Sequence, residues 1–387
     1  MRKSSLIRSF AHSPIRRFAD SLIRRFVHSL LIILLVAGCT ILPHSTSPIL
    51  KIGLIAPFEG LQRPEGYAAL SAVKLALRQR NQAGGVAGYG VELVALNDDG
   101  DPTQAALQAR KLAVDPAVVG VIGPLSRATV AAAAAPLTEA GLAWVIPAPA
   151  SDVTVAQSPN AFRLFASDGA LATALMAWAG ASAQANGGRG RVMVPEIGLF
   201  AAPLAAAAAD AGLLEPWTAS SGEASAMLAL GMDAEEAADF LRGSGEAAGQ
   251  RCLLAGPEAA GAVTFQRIAS DGLSLVWVTS YQEQPWPVEF VQGYQEMAGG
   301  PPDPAAALAY DAAQVLLDAI ARSVRVGRAP GRAEVVMALR EAQWRGLNGP
   351  VAFDHQGNWV DAPVHLYRAT RTERFGSMAI KGVSCKS

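Results

Sequence analysis

The sequence predicts a two-lobed α/β fold built on parallel sheets. From Leu50 onward, short apolar runs alternate with longer amphipathic ones, which is the order left by strands joined through crossover helices. The alternation occurs twice. With residues 1–38 set aside as a leader, 349 residues remain, enough for two domains. Hydrophobic residues make up 51% of the chain, so each lobe has material for a core.

Leu50–Ala56 (LKIGLIA) forms the first strand. Leu70, Val73 and Leu77 recur at helical spacing, so Tyr67–Asn81 is a helix, and it stops at Gly84-Gly85, where a missing side chain permits the turn. Val91–Leu96 is the second strand. Asp101-Pro102 supplies a capping oxygen and a proline at the first helical position, opening a helix through Val114. Strand Val118–Ile122, helix Ser126–Glu139 and strand Ala143–Ile146 complete four strand units, half of a doubly wound domain. The second alternation runs helix Ala170–Gln184, strand Arg191–Val194, helix Ala201–Ala211, strand Cys252–Ala255, helix Pro257–Ser270 and strand Leu275–Val278. Between Leu213 and Gln250 the pattern blurs, with one helix-forming stretch at Ala234–Leu241. Long helices at Pro304–Arg325 and Arg332–Ala342 follow, then short strands near Val351–Phe353 and Val364–Tyr367. A chain threading back between the lobes suits a hinge.

The leader has its own logic. Leu30–Cys39 reads LLIILLVAGC, an apolar run too short for the roughly 20 residues of a spanning helix, and it follows seven Lys and Arg residues. Small residues at Ala37 and Gly38 open the backbone to a peptidase, and the Cys39 thiol is a nucleophile that can carry a lipid. The expectation is a lipoprotein signal over residues 1–38, lipidation at Cys39, and a tether over 39–48 that holds the body on the extracytoplasmic face of the cell membrane. An ordinary secretory signal with an incidental cysteine is the alternative. Upstream, SLIRSFAH, SPIRRFAD and SLIRRFVH repeat with a period of eight between Ser5 and His28. That period matches no coiled coil or solenoid, and an elongated basic region or an early start site accounts for it. Beyond Cys39, Cys252 and Cys385 form a disulfide or remain two free thiols.

Charge and motifs narrow the function. After the leader the chain keeps 25 basic against 32 acidic residues, which argues against nucleic acid as a partner. His355 and His365 lie ten residues apart near the C-terminus, and no Cys-x-x-Cys or His-Glu-x-x-His arrangement exists, so no metal is expected. Neither a Walker phosphate loop nor a G-x-S-x-G elbow is present. Asn97-Asp98-Asp99-Gly100-Asp101 lacks the spaced ligands of a calcium loop and reads as a turn and cap. Neither an enzyme nor a cofactor is expected.

KIGLIAPFEG, NQAGGVAGYGVELVALNDDGDPTQAALQARKL, VVGVIGPLSRAT and AYDAAQVLLDAI occur in an order that resembles the leucine/isoleucine/valine-type substrate-binding proteins of ABC importers, with the type I periplasmic-binding fold. The likeness is strong from Leu50 to about Phe165, resumes at Pro304–Ala321 and Gly349–Gly357, and is weak between. It implies two Rossmann-like lobes (49–163 plus 281–343, and 164–280 plus 344–387), joined by three crossings and closing on a small polar solute such as a branched-chain amino acid. It also implies a membrane permease as partner.

The same resemblance places a solute carboxylate at the loop after the third strand, with Ser126 and Thr129 as hydroxyl donors. A helix starting there aims unpaired N–H groups and a positive dipole end at the cleft. Plain helix capping is the other reading of both residues. Arg127 stands where the family has a small residue; it either pairs with a ligand carboxylate or lies on the surface. The loop after the fourth strand contributes Ala148 and Ser151, with Ala150 at the usual hydroxyl position. Phe58 and Glu59 follow the first strand, and Glu59 is a partner for a solute ammonium or a solvated loop acid. In the second lobe the usual aromatic-glycine turn becomes Phe200-Ala201, where Phe200 covers a ligand or fills the core. Tyr281, Glu283 and Trp286 offer replacement anchors or a surface for the permease. Two further functions fit the same residues, a ligand sensor signalling to a membrane partner and a lipid-anchored scaffold that has lost solute binding.

Overall fold

Strands whose residues are apolar at every position, such as VVGVI and AWVI, need cover on both faces, and helices supply it. A computed structural model of the chain describes residues 48–185, 187, 190–215, 226–243, 252–258, 274–281, 285–325 and 328–369. In chain order the first half runs β1 (Ile49–Ala56), α1 (Arg63–Gln82), β2 (Gly90–Asn97), α2 (Pro102–Val114), β3 (Val118–Ile122), α3 (Arg127–Glu139), β4 (Ala143–Ile146), α4 (Asp152–Ala156) and β5 (Ala161–Arg163). Next come α5 (Asp168–Ala185), β6 (Arg191–Met193), α6 (Ala201–Asp210), β7 (Leu214–Glu215), β8 (Ala226–Leu230), α7 (Ala234–Gly243), β9 (Cys252–Ala255) and β10 (Ser274–Thr279). The chain ends with α8 (Val288–Ala298), α9 (Pro304–Ser323), α10 (Arg332–Arg340), β11 (Gln343–Gly346), β12 (Gly349–Ala352) and β13 (His365–Ala369).

The first sheet is parallel, in the order β2-β1-β3-β4-β5. Successive residues of each strand face opposite layers, so Leu54, Ile122 and Val145 join α1 and α9 in one core while Ile55, Val121 and Trp144 join α2 and α3 in another. The second sheet runs β13-β10-β9-β8-β6-β7, parallel except for β13, and repeats the strand order of the first. In both sheets the order reverses beside the first strand, which places a crevice at the carboxyl ends of the strands.

The chain passes between the two sheets three times, after β5, after β10 and between β12 and β13. Buried Ser280 lies where these crossings meet. Its hydroxyl accepts from the Ala166 N–H at 2.8 Å and donates to the Pro363 carbonyl at 2.8 Å. Nearby, buried Arg163 donates to the Ala150 carbonyl at 2.8 Å, to Asp152 at 2.6 Å and to Asn358 at 2.7 Å. The β11–β12 ribbon packs on α9, where Asp311 accepts from Leu347 N and from both nitrogens of Asn348.

The predicted elements of the first lobe are present, joined by β5, which at three residues is too short to leave a periodic signal. Helix α8 also went unpredicted; it begins after Pro287 and ends on left-handed Gly299. The blurred region contains β8 and α7. The predicted helix at Pro257–Ser270 lies outside the described residues after Glu258, as do Cys39, the tether and Cys385. Cys252 is disulfide-bonded. Among the described residues no helix is long and apolar enough to cross a membrane, and no group of acidic, His or Cys residues could hold a metal.

Candidate functional site

The site begins where β3 turns into α3. Gly123 has φ +85°, and a Cβ there would come within 2.3 Å of the Ile55 carbonyl oxygen, so only glycine lets the chain leave the sheet this way. Ser126 then caps α3 with extended backbone angles. Its Oγ lies 2.8 Å from Thr129 Oγ1, and Thr129 donates that hydroxyl to the Ser126 carbonyl at 3.1 Å. The two expected ligand hydroxyls are thus both engaged in a capping box.

Arg127 is the centre of the arrangement, and its surface reading does not hold: the side chain is 1% exposed. Among the described residues, its side-chain partners come from the second lobe or its entry. Nη1 meets Asp168, the first residue of α5, at 2.6 Å, and Nε lies 2.8 Å from Oε2 of Glu258, just past the end of β9. The Arg127 backbone N–H, at the first position of α3, donates to Oε1 of the same Glu258 at 2.9 Å. The guanidinium carbon sits 4.9 Å from the centre of the Phe200 ring, a cation–π contact. Phe200 itself is buried against Gly256, where a Cβ would approach its ring to 2.7 Å. Two carboxylates therefore face one guanidinium. Burial pushes the carboxyls of both Asp168 and Glu258 above their usual range, and the Arg127 charge pulls against it. Nε and Nη2 of Arg127 are both buried without a hydrogen-bond partner among the described residues, so the Nε–Glu258 contact is an ion pair.

The other expected residues have surroundings of their own. Ala148 is buried in the core beside Ala150, and Ser151 caps α4 without a side-chain hydrogen bond. The Phe58 ring stacks 5.6 Å from Tyr67, its N–H donates to Asn97, and Glu59 points to solvent. Tyr281 is half-buried and accepts at its carbonyl from the Tyr367 hydroxyl at 3.3 Å. Trp286 is buried edge-on against Phe290, and Glu283 lies outside the described residues. Glu258 and Asp168 were not foreseen. Their signal is positional, one just past a parallel strand and the other at a helix start after a crossing. Cavities of about 490 Å³ between α1 and α8 and about 430 Å³ between α2 and α3 lie on outer helices, lined by none of these residues.

The model of the family described as periplasmic binding protein matches residues 49–194 and 192–374. The chain belongs to the periplasmic binding protein family. Solved members with the same two-lobed type I fold superpose over most of its length. An ABC transporter substrate-binding protein from Desulfitobacterium hafniense is 22% identical, with TM-score 0.68 over 85% of this chain and 100% of that one. The branched-chain amino acid binding protein LivJ from Streptococcus pneumoniae, in complex with isoleucine, is 17% identical, with TM-score 0.66 over 86% and 100%. A solute-binding protein of an ABC transporter from R. palustris, in complex with 4-hydroxybenzoate, is 16% identical, with TM-score 0.68 over 86% and 96%. A search of curated proteins finds no match for this periplasmic binding protein.

Proposed function

We propose that this chain is the lipid-anchored, extracytoplasmic solute receptor of an ABC importer, and that it takes a small carboxylate-bearing solute, an amino acid or an aromatic acid, between its lobes. One observation carries the reading: the first turn of α3 and the Arg127 guanidinium already hold a carboxylate, that of Glu258. Backbone N–H groups at a helix start, a positive dipole end and a two-point guanidinium suit that anion. Leucine, isoleucine, benzoate and 4-hydroxybenzoate, the ligands of its structural neighbours, all carry a carboxylate, whereas the first two alone have an ammonium and the last two alone an aromatic ring. Cys39 and the apolar run before it support the lipid anchor, and a permease is the matching partner.

One observation favours a scaffold without a solute: the space beside Ser126 is filled by Arg127, Glu258 and Phe200. Calorimetry against branched-chain amino acids and benzoates separates the two readings. The receptor binds at least one of them and gains about 2.7 kcal/mol of stability at a hundredfold excess over Kd. A scaffold binds none, and its melting temperature stays where it was.

A further inference from the structure

We infer that Glu258 is a resident occupant of the anion site, a second-lobe carboxylate that latches the clamshell shut in the absence of solute and must leave before a solute carboxylate enters. The latch stands on geometry alone; the exchange rests on the receptor function proposed above. Arg127 belongs to the first lobe, and its contacts with Glu258, Asp168 and Phe200 all reach the second lobe or its entry. Glu258 engages it twice, with one oxygen accepting from the backbone N–H at 2.9 Å and the other in an ion pair with Nε at 2.8 Å. That is the two-point grip an incoming carboxylate would need.

Charge permits Glu258 to exchange, and exposure singles it out. Asp168 alone balances the guanidinium, so a departing Glu258 leaves a neutral Arg127–Asp168 pair with a helix N–H and Nε released. A monoanionic solute restores the original net charge of the cluster. Exposure points the same way, since the Glu258 side chain is 20% exposed against 5% for Asp168. The unpartnered Nη2 of Arg127 gives the solute a donor that Glu258 leaves unused.

Small-angle scattering on the solute-free protein tests the latch. The wild type is expected to be compact, and Glu258→Gln, which keeps the size and loses the charge, to show a larger radius of gyration. Glu258→Ala should show the same expansion, with E258Q deciding if the alanine variant fails to fold. A wild type already open in solution, or an E258Q protein as compact as wild type, overturns the latch. Titration with isoleucine and 4-hydroxybenzoate tests the exchange: removing the internal competitor should tighten carboxylate binding by about tenfold. Equal affinity in both proteins overturns the exchange. Expansion of E258Q with no binding by either protein keeps the latch and refutes the receptor function instead.

Discussion

Arg127→Met removes the cation that pairs directly with both Asp168 and Glu258 and leaves two desolvated carboxylates without it. Loss of one partner of a buried ion pair costs about 3 kcal/mol or more, and urea unfolding should show it. Adding Glu258→Gln to that variant should recover part of the loss, because one uncompensated charge has gone. The sequence could not reveal this role for Arg127, since its partners lie 41 and 131 positions away. A lone arginine at a helix start offers no local sign of what folds over it. Ser126 and Thr129 left two readings open in the sequence, ligand hydroxyls or a cap; a serine followed three residues later by a hydroxyl is a cap on local grounds, and the structure shows that cap.

At the level of elements, Arg332 deserves a test of its own. From the start of α10 its guanidinium donates to the carbonyls of Ala113 and Asp115 at the end of α2, to Val118 on β3 and to Ala140 at the end of α3, at 2.8–3.2 Å. One side chain thereby satisfies the terminal carbonyls of two helices. Arg332→Ala should cost about 2 kcal/mol, the scale of hydrogen bonds to a charged group, seen as a lower melting temperature. Arg332→Lys should restore little, because an ammonium cannot span four acceptors laid out for a planar fork. Elements of this size were legible wherever apolar residues kept one period over two or more turns, as in α1 and α9. The two-residue β7 and three-residue β5 exist only because a longer neighbour pairs with them, so they leave no pattern of their own.

The whole molecule carries several carboxyls that titrate high. Burial pushes Glu65 up to about 7 and Asp98 up to about 6. A carboxyl whose folded pKa exceeds its unfolded value binds more protons when folded, so its stabilising effect is complete below the unfolded pKa and is lost as pH rises through the folded one. Half-buried His365, whose pKa is lowered by desolvation, works in the opposite sense and loses its contribution as pH falls below about 6.5. A comparison of variants isolates the acid: Glu65→Gln should gain stability over wild type at pH 8, by roughly 1–3 kcal/mol, and little at pH 4.5, as followed by thermal melts. The two-lobed architecture was readable from a pattern stated twice, whereas the junction between lobes was not, since it is made by residues far apart in the chain. Ser280 shows what that junction permits. One hydroxyl gives a proton to one strand of the hinge and takes one from another, so it works as a pin through three leaves. Sliding any one leaf past the others would break these bonds, so the three crossings are held in register at one point.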